Sequence, residues 1–118
     1  MQTYEQELDN FVIRLQTEAL QRWKDVPVVV LNRRVNFLKA RIAVEKRLFI
    51  DVYYNVMNGR LSFALILEGE RVFGYDKVKT WHRHPFEDSS QHVPCAEPTL
   101  GQVFSEMAKV ISTSIERR

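Results

Sequence analysis

The chain predicts an α+β fold in which a four-stranded antiparallel meander follows one helix and precedes another, both packed on the same sheet face (α-β-β-β-β-α). Three observations predict it. Apolar residues recur at helical spacing near both ends, and the middle of the chain changes to a period of two. The segments joining the alternating runs are also too short for parallel crossovers, which take about a dozen residues or more.

Tyr4, Leu8, Phe11, Val12, Leu15, Ala19, Leu20 and Trp23 form the first apolar stripe. Thr3, followed by Glu5, Gln6 and Glu7, supplies a capped start that suits the helix dipole. Asp25 and Pro27 end the helix, because proline cannot donate the next backbone bond and restricts the residue before it. "VVVL" at 28–31 is β-branched enough for a short strand, yet gives way at once to "NRR" and is not counted in the sheet.

Leu38, Ala40, Ile42 and Val44 then alternate with Phe37, Lys39, Arg41 and Ala43. Leu48, Ile50, Val52, Tyr54 and Val56 alternate with Phe49, Asp51, Tyr53 and Asn55, and Leu61, Phe63, Leu65 and Leu67 with Ser62, Ala64 and Ile66. "RVFGYD" at 71–76 completes the four strands. The connections "EKR", "NGR" and "EGE" are short, and Asn58-Gly59 offers the positive backbone angle of a hairpin turn. Thr99 and Gln102 form a capping-box pair ahead of Leu100, Val103, Phe104, Met107, Val110 and Ile111, the second helical stripe.

At 118 residues the chain is read as one domain, 1–118, able to bury a core without a disulfide framework, which its single cysteine could not build. Its apolar runs are far shorter than the roughly 20 residues that cross a bilayer, and no secretory signal is visible. The expected address is the cytoplasm, with no membrane partner. A net charge of +2 is too balanced to announce a nucleic-acid binder, so any electrostatic case is local.

With helices on one face, the other carries Phe37, Lys39, Arg41, Phe49, Asp51, Tyr53, Ala64, Ile66 and Val72. So apolar a face suits a homodimer or partner-protein interface. The secondary alternative is a nucleic-acid surface, with Phe37, Phe49 and Tyr53 stacking bases while Lys39 and Arg41 meet phosphates.

"TWHRHPFEDSSQHVPC", residues 80–95, contains all three histidines and the only cysteine. It reads as one long loop between the last strand and the last helix. Pro85 pushes His84 toward extended backbone, where His82 and His84 share a side, and His92 returns to them. Three uses fit. His82, His84 and His92 are suitable zinc ligands. Alternatively, two histidines serve as acid and base in cofactor-free phosphodiester cleavage, with Lys77, Lys79 or Arg83 steadying the charge. In the third reading the imidazoles hydrogen-bond loop carbonyls and carboxylates while Trp81 and Phe86 pack on the sheet edge to hold the connection in place. Cys95 lacks the surroundings of a nucleophile.

The run of "RVFGYD" into "WHRHP", and then "HPFEDSSQHVPCAEPTLGQVFSEM", resembles the TumE-type toxins of prokaryotic toxin-antitoxin systems over about residues 35–115. That family has an aromatic-Asp strand end, a loop with His and Pro, and a further His before a Pro-rich link into a helix. Here Asp76 is followed by Lys77, and the histidines are split as H-x-H. The resemblance implies a toxin-like component directed at RNA, either binding it or acting as a metal-independent ribonuclease, with a cognate antitoxin as partner. It places Tyr75, Asp76, His82, His84 and His92 at the site, with Asp76 orienting an imidazole. The expected substrate contacts are Tyr75, Lys77, Lys79, Trp81 and Arg83. No cofactor is needed in this reading. The alternative is a non-catalytic homodimeric interaction module with a structural, zinc-pinned loop.

Overall fold

The computed structural model describes residues 1–116, with side chains through Ser114. Its elements run α1 (Tyr4–Arg22), β1 (Val28–Arg33), β2 (Phe37–Glu45), β3 (Leu48–Asn55), β4 (Leu61–Leu67), β5 (Glu70–Val78), β6 (Thr80–His84), β7 (Val93–Pro94) and α2 (Leu100–Glu116). All the strands join one antiparallel sheet in chain order, β1 to β7. The fold is α+β, but the sheet has seven strands and not the four expected.

The additional strands have physical reasons to hide. β1 lies at an edge and is exposed along nearly its whole length, so no inside-outside alternation marks it. β6 follows β5 through a reversal at Lys79, which adopts φ +71 without the glycine or asparagine that usually signals such a turn. β7 is only two residues long, pairing His82 with Pro94 and Arg83 with Val93. The stretch 80–95 is therefore two strands around the loop 85–92, and not one long connection.

Both helices cover the same face. Leu8, Phe11, Leu15 and Ala19 of α1, together with Val103, Phe104, Met107 and Ile111 of α2, are buried. They meet Leu38, Ile42, Ile50, Val52, Phe63, Leu65 and Phe73 from the sheet. Each helix start is locked by a reciprocal capping box, Thr3 with Gln6 and Thr99 with Gln102. Arg22 ties the helices together by reaching Glu18 at 2.6 Å on its own helix, and the Gly101 carbonyl and Ser105 on α2. Among the described residues no helix is long and apolar enough to cross a membrane.

Candidate metal centre on the open sheet face

The register of the sheet builds the site. Lys39 of β2 lies opposite Tyr53 of β3, Tyr53 opposite Ser62 of β4, Ser62 opposite Asp76 of β5, and Asp76 opposite His82 of β6. Directly opposed residues project to the same side of a sheet. One continuous row therefore crosses the face that the helices leave uncovered. The neighbouring row runs Arg41, Asp51, Ala64, Gly74, His84.

His84 sits at the end of this second row and is 1% exposed. Its Nε2 lies 2.7 Å from Asp76 Oδ2 and its Nδ1 3.1 Å from the Ser89 carbonyl. Ser89 is itself anchored to β5, its hydroxyl donating to the Arg71 carbonyl at 2.7 Å. The loop 85–92 thus folds back over the open face and buries the imidazole. His92 returns to it with ring centroids 4.4 Å apart, while the His82 and His92 rings lie 6.2 Å apart.

Asp76, His84 and His92 each offer a ligand atom, all within 4.8 Å of one another. Imidazole and carboxylate are the donors that zinc and related divalent ions accept. The second ring nitrogen of His84 is fixed by a backbone carbonyl, the usual outer-shell device that selects tautomer and ring orientation at metal sites. His84 is buried, Asp76 half-buried and His92 exposed, so the group opens to solvent on the His92 side. His82 stands beside the group and not within it, which changes the ligand set expected from the spacing: Asp76 takes the place of His82.

The expected substrate contacts divide by strand parity. Tyr75, Lys77, Trp81 and Arg83 alternate onto the helix-covered face, away from the histidines. There Tyr75 donates a short hydrogen bond to Glu106 on α2. Arg83 grips the other oxygen of Glu106 at 2.8 and 3.1 Å and lies over the Phe73 ring at 5.0 Å. Burial, and then the Glu106 carboxylate, push the Tyr75 phenol up to about 12. Tyr75 and Arg83 thus dock α2 on the sheet, while Lys77 also borders a surface trough that Lys39, Tyr53, Ser62 and Asp76 line. Lys79 is exposed at the tip of the β5–β6 reversal. Cys95 is half-buried and burial pushes its thiol up, away from a reactive thiolate.

Arg41 is also committed. It forms a bidentate pair with Asp51 at 2.8 and 3.2 Å and stacks on the Phe49 ring at 3.9 Å. Lys39 keeps its exposure. Two residues with no part in the sequence reading of the site emerge: Ser62, in the Asp76 row of the register, and Arg60, just before β4, which lines the surface trough together with Lys39, Ser62 and Asp76. Ser89 is a third, contributing only a carbonyl, for which sequence carries no signal.

No protein-family model, curated protein or solved structure matches this chain.

Proposed function

We propose that the protein binds a divalent transition metal, zinc in the first instance, through Asp76, His84 and His92, and that this centre is the working part of a toxin-like protein directed at RNA. The observation that carries the metal reading is the environment of His84. Both of its ring nitrogens face atoms that, with Asp76 ionised, can only accept hydrogen bonds, a carbonyl and a carboxylate. An imidazolium donating from both nitrogens satisfies these acceptors, and so does a neutral imidazole that donates to Ser89 and shares a cation with Asp76; the approach of His92, which brings three ligand atoms within 4.8 Å of one another, favours the cation.

The fit requires modest adjustment. With metal–ligand distances of about 2.0–2.2 Å, tetrahedral ligand atoms stand roughly 3.3 Å apart. The 2.7 Å His84–Asp76 contact therefore opens slightly, and exposed His92 closes in. Three protein ligands with one solvent-facing side match a centre that keeps a position for a reactant, whereas structural zinc sites are closed by four. An ion held there supplies Lewis acidity toward a phosphoryl oxygen. His82, opposite Asp76 and outside the ligand set, is the group placed to move a proton.

RNA as target and an antitoxin as partner come from the resemblance of "RVFGYD" and "WHRHP" to the TumE-type toxins. A second reading is metal-free acid–base cleavage. His84 is too buried and too fully bonded to touch a 2′-hydroxyl, so that chemistry falls to His82 and His92, which reach solvent with rings 6.2 Å apart.

Metal content and RNA cleavage by the purified protein test both readings. The metal reading expects one zinc per chain after EDTA stripping and reloading, lost in His84→Ala and His92→Ala and kept in His82→Ala. Failure to bind zinc, manganese, cobalt or nickel at micromolar concentrations sinks it. Cleavage that persists in EDTA and disappears in His82→Ala establishes the second reading instead.

A further inference from the structure

We infer that the open face over β2–β5 is a binding trough for the backbone of single-stranded nucleic acid, which it leads to Asp76 and the histidines. The inference rests on the metal reading only for where the strand ends, not for what holds it.

A surface trough of about 390 Å³ lies on this face, lined by Lys39, Tyr53, Arg60, Ser62, Asp76 and Val78 among others. Its charges are unevenly committed. In the row beside it, Arg41 and Asp51 neutralise each other. Lys39 and Arg60 are exposed, and neither side chain has an ion-pair partner among the described residues. Two cations without partners beside two hydroxyls, from Tyr53 and Ser62, form a surface that a phosphate oxygen can satisfy by charge and by hydrogen bond together.

The trough also has a platform for bases. Phe37 and Tyr53 stand next to each other, ring centroids 5.8 Å apart and planes tilted by 36°, both half-buried with one side toward solvent. Aromatic faces beside a cationic groove are how proteins hold single strands without reading their sequence. A duplex buries its base faces and cannot use this platform, which favours a single strand. The row from Lys39 to His82 crosses four inter-strand steps of about 4.8 Å, or roughly 19 Å, room for several nucleotides. At one end stand the free cations and the aromatic pair. At the other stand Asp76, His84 and His92.

The binding test uses fluorescently labelled hexauridylate and its deoxy counterpart at several salt concentrations. Competition with uridine monophosphate and inorganic phosphate separates a strand from its parts. Binding to the hexamers should weaken with salt, and the double variant Lys39→Ala/Arg60→Ala should flatten the log–log slope by about 1.4 and weaken binding at least roughly tenfold. Tyr53→Ser should weaken it roughly fivefold or more with the slope unchanged. Lys24→Ala, an exposed cation at the end of α1, should do neither. Thermal unfolding of each variant establishes that it is folded. Hexamer binding that survives in EDTA supports the trough even if the zinc measurement fails. No hexamer binding, unchanged affinity in the Lys39/Arg60 variant, or mononucleotide binding as tight as the hexamer's overturns it.

Discussion

His84 and Asp76 meet at 2.7 Å from diagonal positions of adjacent strands, since His84 lies opposite Gly74 and Asp76 lies opposite His82. Diagonal neighbours are farther apart than opposed ones, so only a long side chain with clear space closes the distance. Gly74, directly opposite His84, has no side chain to stand beside that contact. It also lets β5 approach β4 closely: a Cβ at position 74 would stand 2.5 Å from the Phe63 carbonyl oxygen.

Gly74→Ala is therefore expected to push β4 and β5 apart. Backbone has little room to yield, and such overpacking costs typically 1–3 kcal/mol, or about that here. Urea unfolding measures the loss. Because β5 carries Asp76, the same variant should also bind zinc more weakly than the parent.

Substitutions at the three histidines should separate by burial rather than by position in the motif. His84→Ala removes a buried ring and strands the Asp76 carboxylate and the Ser89 carbonyl, which places its cost at about 1–3 kcal/mol in the metal-free protein. His92→Ala and His82→Ala remove exposed or half-buried rings with no hydrogen bond to a described residue, so about 0.5 kcal/mol or less is expected. Zinc at a hundred times its dissociation constant should add about 2.7 kcal/mol to the parent and nothing to His84→Ala.

The Tyr75 phenol predicts a feature of alkaline unfolding. Its folded-state value, about 12, lies above the ordinary 10, because burial and the Glu106 carboxylate both disfavour phenolate. The unfolded chain therefore releases this proton first as pH rises. Stability from this group is complete below pH 10 and is lost between 10 and 12. Tyr75→Phe should lack that part of the decline, and ultraviolet titration should lose its latest phenolate step.

Both helices and the strands β2, β3 and β4 were legible because each has one buried and one uncovered face, so periodicity reports their geometry directly. Leu38, Ile42, Ile50, Val52, Phe63 and Leu65 all lie in the core. β1 and β6 were not legible, for opposite reasons. β1 buries almost nothing, while β6 buries Trp81 on one face and His84 on the other, so no alternation marks it, and it is separated from β5 by Lys79 rather than by a recognisable turn residue. Recognising β6 would have resolved much of the site. Strand parity sends His82 and His84 to one face and Trp81 and Arg83 to the other, and the pairing with β5 does the same for Asp76 against Tyr75 and Lys77. The Ser89 carbonyl that orients His84 belongs to a loop conformation that no residue type announces.

The two edges of the sheet differ in a way that bears on self-association. β7 is two residues long and includes Pro94, which has no amide to donate, so that edge is blunted. β1 offers six residues whose Val29, Val30 and Leu31 are exposed to 48%, 40% and 52%. Among the described residues its outer backbone groups face no other strand, and its one irregularity is a register shift at Leu31. A long apolar edge is a template for pairing with another strand, and proteins ordinarily interrupt it with charge. Here the charges come only at the end, where Arg33 is drawn away to Asp9 on α1 at 2.7 Å. Sedimentation of the parent at increasing concentration should reveal self-association, and Leu31→Lys should reduce it while leaving thermal stability within about 0.5 kcal/mol, since the side chain packs against little. A parent that stays monomeric at hundreds of micromolar, or a Leu31→Lys protein that associates equally well, removes β1 as the contact and leaves the aromatic face around Phe37 and Tyr53 as the surface to substitute next.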